Sequence, residues 1–334
     1  MKLLILEYAT AQGVEDPSIT IEGRAMLHGL LDDFSYHHTS FLISDKSLPL
    51  DGGQCRPITI SGDLEEWLEE NISHYDACLP LAPEENFILH KITKIIENQG
   101  LEVVGSLSNG VMICSNKLDT YQALTKVSPL INTEKIFFND MGKLPELTEK
   151  KVVKPADGVS CSGVSVVNSK SRLLDAAKQI QSITNLPFFL LQDYVEGTSA
   201  SVSLLSDGKT ALPMSLNLQE VNLKDSSINY NGGKVPLEHP LFFEAFSVAK
   251  KAVESIKGLQ GHVGVDIILN HEVHLVEINS RITTPYIALR KLLDFNLGRA
   301  ILDATHGILP DTVQIEGEAL FSKGSNEINL TVIR

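Results

Sequence analysis

Apolar positions alternate between short runs and helical stripes along the first third of the chain. Residues 3–6 (LLIL) read as a buried strand, and GRAMLHGLLDDF sets Met26, Leu27, Leu30, Leu31 and Phe34 on one helical stripe. Strand-like runs recur at 39–43, 77–81 and 102–104, with a helix over about 84–97 before the last. This alternation predicts a parallel sheet covered by helices. A second unit opens near Ser115, where SNKLDTYQAL reads as a helix capped by Ser115 or Asn116. A strand at 151–154, the loop DGVSCSG, a strand at 164–167, a helix over about 171–183 and a strand at 188–192 follow. The third unit offers strands at 199–205 and 212–218, a polar loop KDSSINYNGGKVP and a helix over about 240–257. It closes with the hairpin HVGVDIILNHEVHLVEINSR, a helix around 286–295 and a strand or tail from about Gly324. The expectation is an α/β unit over 1–114, a small α+β module over 115–190 and a mixed-sheet unit over 191–334.

Charge and composition narrow the function. The chain of 334 residues carries 28 Lys+Arg against 42 Asp+Glu, a formal net charge of −14. That balance argues against sequence-independent binding to nucleic acid or an anionic membrane, yet leaves room for a small anion held by a few cations and a metal. Glu7 interrupts the opening apolar run, and no stretch reaches the ~18–20 apolar residues of a membrane span. The cysteines at 55, 78, 114 and 161 have no paired spacing, so a reduced, cytoplasmic protein is expected. The ten histidines form no zinc-type pair.

Asp266, Glu277 and Asn279 are the most informative positions. With a two-residue turn at Asn270-His271, Asp266 would oppose Leu275 and have Glu277 as its diagonal neighbour, ~7–8 Å away, on one face with Asn279. Two carboxylates and an amide on an otherwise apolar face suit Mg²⁺ or Mn²⁺, which favour oxygen ligands and substrate phosphates. Arg281 continues the alternation toward whatever anion such a metal holds. A solvated hairpin face is the plainer alternative on pattern alone. Lys154 ends an apolar strand before a loop containing Gly158 and Gly163, whose backbone could approach an anion. Lys117 opens a helix, where a cation opposes the helix dipole. QDYVEG ends a strand in polar residues and Gly197, suiting a hinge. Residues 7–22 read as a loop after the first strand, making Glu7, Tyr8 and Arg24 candidates for substrate contact, with core packing the commoner role for Tyr8.

Taken in order, Lys117 in SNKL, Lys154 in VVKPADG, the hinge QDYVEG, then Asp266, Glu277, Asn279 and Arg281 resemble the ATP-grasp superfamily over essentially the whole chain. The resemblance implies an ATP-grasp fold, α/β and α+β, with an N-terminal Rossmann-like domain, a lid module and a C-terminal mixed-sheet domain. ATP would lie between the lid module and the C-terminal domain. Lys117 and Lys154 would contact its phosphates, with Asp157, Gly158, Ser160, Ser162 and Gly163 in a closing lid. Backbone around Tyr194 and Val195 would read adenine, with Gln192, Asp193 and Glu196 nearby. Asp266, Glu277 and Asn279 would hold two Mg²⁺ or Mn²⁺ ions, and Arg281 would stabilise an acyl phosphate. The ribose slot carries Ser199 where many members have an acid, leaving Glu196 or another group to serve. Gly264 stands where D-alanine ligases place an Arg, which counts against that branch. LEYATAQGV and DPSITIEGRAMLHGLLDDF resemble the archaeal ligases that join L-glutamate to the aromatic amine tyramine in methanofuran biosynthesis, and residues 229–234 resemble the mobile active-site loops of such ligases. The implied substrates are small molecules, and a homodimer is an oligomeric state the resemblance allows. Other amino-acid or peptide ligases, and a non-catalytic ATP-binding module, are the competing readings.

Overall fold

The computed structural model describes residues 1–334 except 126, 128–129, 159–161 and 225–226, and without the side chains of 18, 224 and 227. The first hundred residues build an open parallel sheet. Its elements are β1 (Lys2–Glu7), α1 (Tyr8–Gln12), α2 (Pro17–Asp33), β2 (His38–Ser44), β3 (Arg56–Ile60), α3 (Leu64–Asn71), β4 (Ala77–Leu81), α4 (Ile88–Asn98) and β5 (Glu102–Val103). The strand order is β3-β2-β1-β4-β5, and every pairing is parallel. Residues 3–7 and all of β4 are buried, as a central parallel strand covered on both faces requires. The helical stripe is buried as its spacing demands, from Met26 at 5% exposed to Leu27, Leu30 and Phe34 at 0%. Strand order reverses between β1 and β4, so a crevice opens beyond their carboxyl ends.

Residues 7–22, expected as a loop, instead form α1 and the start of α2. Glu7 caps α1, accepting from Ala9 N at 3.0 Å, Thr10 N at 2.8 Å and Thr10 Oγ1 at 2.6 Å. Glu7 is therefore committed to the fold. Arg24 is likewise spent on the carbonyls of Leu48 and Pro49, and Tyr8 packs half-buried against the core. The pair β3 and α3 escaped the periodicity because β3 is an edge strand with mostly exposed positions.

Two helices, α5 (Ser108–Cys114) and α6 (Lys117–Leu124), lead into a small sheet of β6 (Thr133–Phe137), β7 (Lys151–Lys154), β8 (Ser165–Val167) and β9 (Phe188–Asp193), backed by α7 (Lys170–Gln181). Asn116 is the N-cap of α6, its Oδ1 accepting from Leu118 N at 2.9 Å. A larger antiparallel region follows: β10 (Thr198–Asp207), β11 (Ala211–Lys224), β12 (Ser227–Val235), α8 (Phe242–Ser255), β13 (Gln260–Leu269), β14 (Val273–Asn279), α9 (Tyr286–Leu289), α10 (Leu297–Thr305), β15 (Glu318–Lys323) and β16 (Ile328–Ile333). The order runs β14-β13-β10-β11-β12-β8-β7-β9-β6, with β15 against β12 and β16. Among the described residues the small sheet joins the large one through the pairing of Ser227 with Ser165 and the bond from Ile228 N to Val164 O at 3.4 Å.

The polar segment expected as a loop is largely β12. Its two glycines misled the pattern, yet the ladder requires them: a Cβ on Gly232 would stand 2.1 Å from Phe321 O, and one on Gly233 2.1 Å from Leu218 O. The expected helix at 286–295 stops after Leu289, and a second one begins at Leu297, capped by the Asn296 side chain. Among the described residues no helix is long and apolar enough to cross a membrane.

Candidate active site

The large sheet is two-faced. Ala200, Val202, Leu216, Val263 and Val265 pack with Ala245, Ala249 and Val253 of α8. The opposite face carries Ser199, Ser201 and Ser203 of β10, Asn217 and Gln219 of β11, and Asp266 of β13, with Ser201 directly opposite both Asn217 and Asp266. Adjacent strands thus build a polar strip across a buried sheet.

The hairpin register differs from the expected one. Leu269 pairs with Val273, giving a three-residue turn, and a bulge then shifts the ladder so that Asp266 directly opposes Glu277. Leu275 faces Ile267 and belongs to the apolar core. A three-residue turn alone would have separated the acids. The bulge restores the parity and brings them closer than diagonal neighbours, to the ~4.5–5.5 Å Cβ separation of an opposed pair.

Like charges set opposite each other need compensation. Asp266 Oδ1 accepts from Gln219 Nε2 at 2.9 Å, and Oδ2 from Asn279 Nδ2 at 3.2 Å. Burial, reinforced by the Glu277 charge, pushes the Asp266 carboxyl well above its ordinary value. Burial also works to raise Glu277, but the Lys117 ammonium 2.8 Å away, with Lys154 behind it, holds that carboxyl below its ordinary value. Protein cations therefore balance one of the two carboxylates, while the second is ionised only at a cost. Among the described residues no cluster of three His, Cys, Asp or Glu side chains is placed to hold a metal.

The cations come from separate elements. Lys117, the first residue of α6, also donates to Gly158 O at 2.6 Å, which ties it to the loop after β7. Lys154 donates to Gln192 Oε1 at 2.9 Å, and Gln192 Nε2 donates to Thr133 Oγ1 at 2.8 Å. Lys117, Lys154, Gln192 and Glu277 line one narrow pocket with Leu190 and Leu275, leaving room for about one water, ≈ 10 Å³. Asp157 is buried and accepts from Thr184 Oγ1 at 2.7 Å. Ser162 is exposed beside Gly163, which has φ +71°. Ser160 lies outside the described residues.

In the expected hinge, Tyr194 N donates to Lys150 O at 3.3 Å. Its N–H is thus engaged by a neighbouring backbone carbonyl. Asp193 pairs with Lys151, and the exposed Glu196 accepts through its carbonyl from Asn270 Nδ2 at 3.2 Å. Ser199 occupies the site face.

Arg281 reaches the N-terminal sheet. Its Nε donates to Glu84 Oε2 at 2.9 Å and its Nη1 to Ile282 O at 3.3 Å. Glu84 follows β4 at the crevice where strand order reverses and is 5% exposed. Sequence reading missed both Glu84 and Gln219. The period-two alternation Ser215, Asn217, Gln219 in β11 could have revealed Gln219, whereas Glu84 carries no local signal.

Behind Arg281, His262 is 1% exposed, with Nδ1 3.3 Å from Arg281 O and its ring edge-on to Tyr286. Burial lowers it to about 4. The unfolded chain takes up this proton near the ordinary value, so the contribution of neutral His262 is complete above about pH 6.5 and is lost as pH falls toward 4. Denaturant unfolding of the parent and of His262→Leu at pH 7 and 4.5 should show the parent losing about 2–3 kcal/mol more than the variant. Equal losses would remove His262 from the acid response.

A family model described as an ATP-grasp domain matches residues 114–285, and the chain belongs to this family. Its fold is the α/β ATP-grasp fold. It is 35% identical over 297 residues to the tyramine–L-glutamate ligase of Methanocaldococcus fervens, covering 86% of this chain and 89% of that protein. The ligase of the same name from Methanocaldococcus jannaschii is 33% identical over 298 residues, covering 86% and 84%. Among solved structures, an ATP-grasp superfamily protein from Archaeoglobus fulgidus superposes with a TM-score of 0.75 at 24% identity, covering all of both chains.

Proposed function

We infer that the protein is an ADP-forming ligase joining the side-chain carboxylate of L-glutamate to the amine of tyramine. The observation that carries the chemistry is the convergence of Lys117, Lys154, Asp266, Glu277, Asn279 and Arg281 from separate elements. The substrate pair rests on the likeness to the two ligases of that name. In this reading residues 1–114 supply the crevice sheet, 115–190 the lid and 191–334 the acidic hairpin.

The glutamate carboxylate oxygen attacks the γ-phosphorus of ATP and the bond to ADP breaks. The amine, having lost its proton, then attacks the acyl carbon and phosphate departs with the bonding pair. Lys154 and Lys117 neutralise the transferring phosphoryl group, while Arg281 stabilises charge on the acyl phosphate. A closed lid protects that intermediate from water. The directly opposed carboxylates and the Asn279 amide fit a hard divalent cation, because such ions use one or two carboxylates together with substrate phosphates. Asp266, Glu277 and Asn279 would hold Mg²⁺ or Mn²⁺, two ions in the family pattern, which supply charge neutralisation at the phosphates when bound. Gln192, Val195 and the Tyr194 carbonyl would read the adenine, with Asp193 and Glu196 beside them. Asp157, Gly158, Ser160, Ser162 and Gly163 complete the lid.

The test is ADP release with ATP, Mg²⁺ or Mn²⁺ and L-glutamate, with and without tyramine, followed by product mass. Tyramine-dependent ADP with a glutamyl-tyramine adduct is expected, and its absence overturns the substrate pair. Lys154→Ala should weaken ATP binding about 10–100-fold by calorimetry, the scale of a lost charge-assisted contact. Unchanged affinity would take Lys154 out of the phosphate site.

A further inference from the structure

One ion pair joins the N-terminal helix α2 to the far edge of the large sheet. Glu22 of α2 and Lys323 of β15 pair with side chains only 12% and 21% exposed. The Thr284 hydroxyl donates to the second Glu22 oxygen, and Lys323 Nζ stands 5.6 Å over the Tyr230 ring of β12. Four segments distant in sequence therefore meet at two opposite charges. Lys323 also lines an open cleft of about 720 Å³ together with Ser199 and Gln219, and Gln219 holds Asp266. Thr284, which holds Glu22, lies three residues beyond Arg281, so the Cα atoms of those two residues are at most ~11 Å apart. The charge of Glu22 is also felt at Arg281.

We propose that Glu22 and Lys323 form the receptor for the ammonium and α-carboxylate of an α-amino-acid substrate, directing its side-chain carboxylate toward Arg281. This rests on the ligase reading above. An α-amino acid carries a cation and an anion on one carbon, and a preformed pair of opposite charges is their complement. The ammonium docks on Glu22 and the carboxylate on Lys323, so each protein charge exchanges one partner for another. Thr284 fixes the Glu22 carboxylate during that exchange. A staple between α2 and β15 would not need charge, because apolar residues of similar volume hold such a contact equally well. The pair also disfavours incomplete ligands: one without an ammonium offers nothing to Glu22, and one without an α-carboxylate offers nothing to Lys323.

Steady-state kinetics with L-glutamate, 4-aminobutyrate (no α-carboxylate) and glutarate (no ammonium) provides the test. The parent enzyme should prefer L-glutamate by about 100-fold or more in kcat/KM. Lys323→Met should raise the KM for L-glutamate about 10–100-fold while changing that for 4-aminobutyrate about twofold or less, with the ATP Kd unaltered. Glu22→Gln should give the mirror pattern with glutarate. The double variant Glu22→Gln/Lys323→Met removes both charges together and should lose both preferences. Equal weakening of L-glutamate and 4-aminobutyrate by Lys323→Met overturns the site, as does a parent protein that binds no α-amino acid in calorimetry. If the parent takes another amino acid or amine and the variants still discriminate, the site stands and the glutamate–tyramine assignment fails. If the glutamyl-tyramine adduct forms normally and the variants do not discriminate, that assignment stands and the site fails.

Discussion

Glu277→Gln should lower turnover by about 10³-fold or more while leaving the protein folded. Glu277 is the carboxylate that Lys117 and Lys154 keep ionised, directly opposite Asp266 on the neighbouring strand. The amide keeps the volume and one oxygen but removes the charge. Asp266, which burial already raises, would then be the sole acid offered to a cation. Lys117 keeps its bond to Gly158 O, so the lid loop retains its anchor. The check is kcat alongside a thermal melt, with a melting temperature within a few degrees of the parent. Near-normal turnover would dismiss Glu277 as a metal-site residue.

Arg281→Lys should lower kcat about 100-fold while ATP affinity changes little. Lysine keeps the positive charge next to Glu84 and so avoids leaving a buried carboxylate unpaired. What it loses is the planar fork, which spans Glu84 and the Ile282 carbonyl and presents fixed donors to a phosphate-bearing intermediate. Because the lost interaction is strongest when charge develops on the acyl phosphate, the deficit belongs in kcat. A rise in KM with kcat preserved would assign Arg281 to ground-state binding instead.

The proposed Glu22–Lys323 receptor complements these two residues. In the proposed mechanism Asp266, Glu277 and Arg281 would address the phosphate end of the reaction, whereas Glu22 and Lys323 would select the molecule that presents its carboxylate there. The two groups are carried by different elements, so selection and chemistry can be separated by single substitutions.

How much of this was readable without coordinates depends on whether an element is fixed locally. The strand at 77–81 was legible because a continuous apolar run bounded by polar residues states both its type and its limits, and that at 151–154 because two β-branched valines stand between lysines. The α2 stripe and the Asn116 cap were legible for the same reason, since spacing and a capping side chain are local properties. The acidic hairpin was visible as a pattern, but its register was not. A turn of three residues and a one-residue bulge cancel, and only strand pairing decides where the extra residue goes. Edge strands such as β3, and β12 with its two glycines, were lost because neighbouring backbones, rather than their own side chains, make them strands. Glu7 looked like a candidate for chemistry until helix α1 claimed its carboxylate as a cap.

By itself the sequence determined the alternation that makes a parallel sheet, the types of residue available for phosphate and metal chemistry, and their order along the chain. Tertiary structure alone decided which of them meet. Glu84 reaches Arg281 across 197 residues, Gln219 reaches Asp266 across 47, and Glu22 finds Lys323 from the opposite end of the chain. Such partners carry no periodic signal, because what places them is strand pairing within the large sheet and the packing of the N-terminal elements against it.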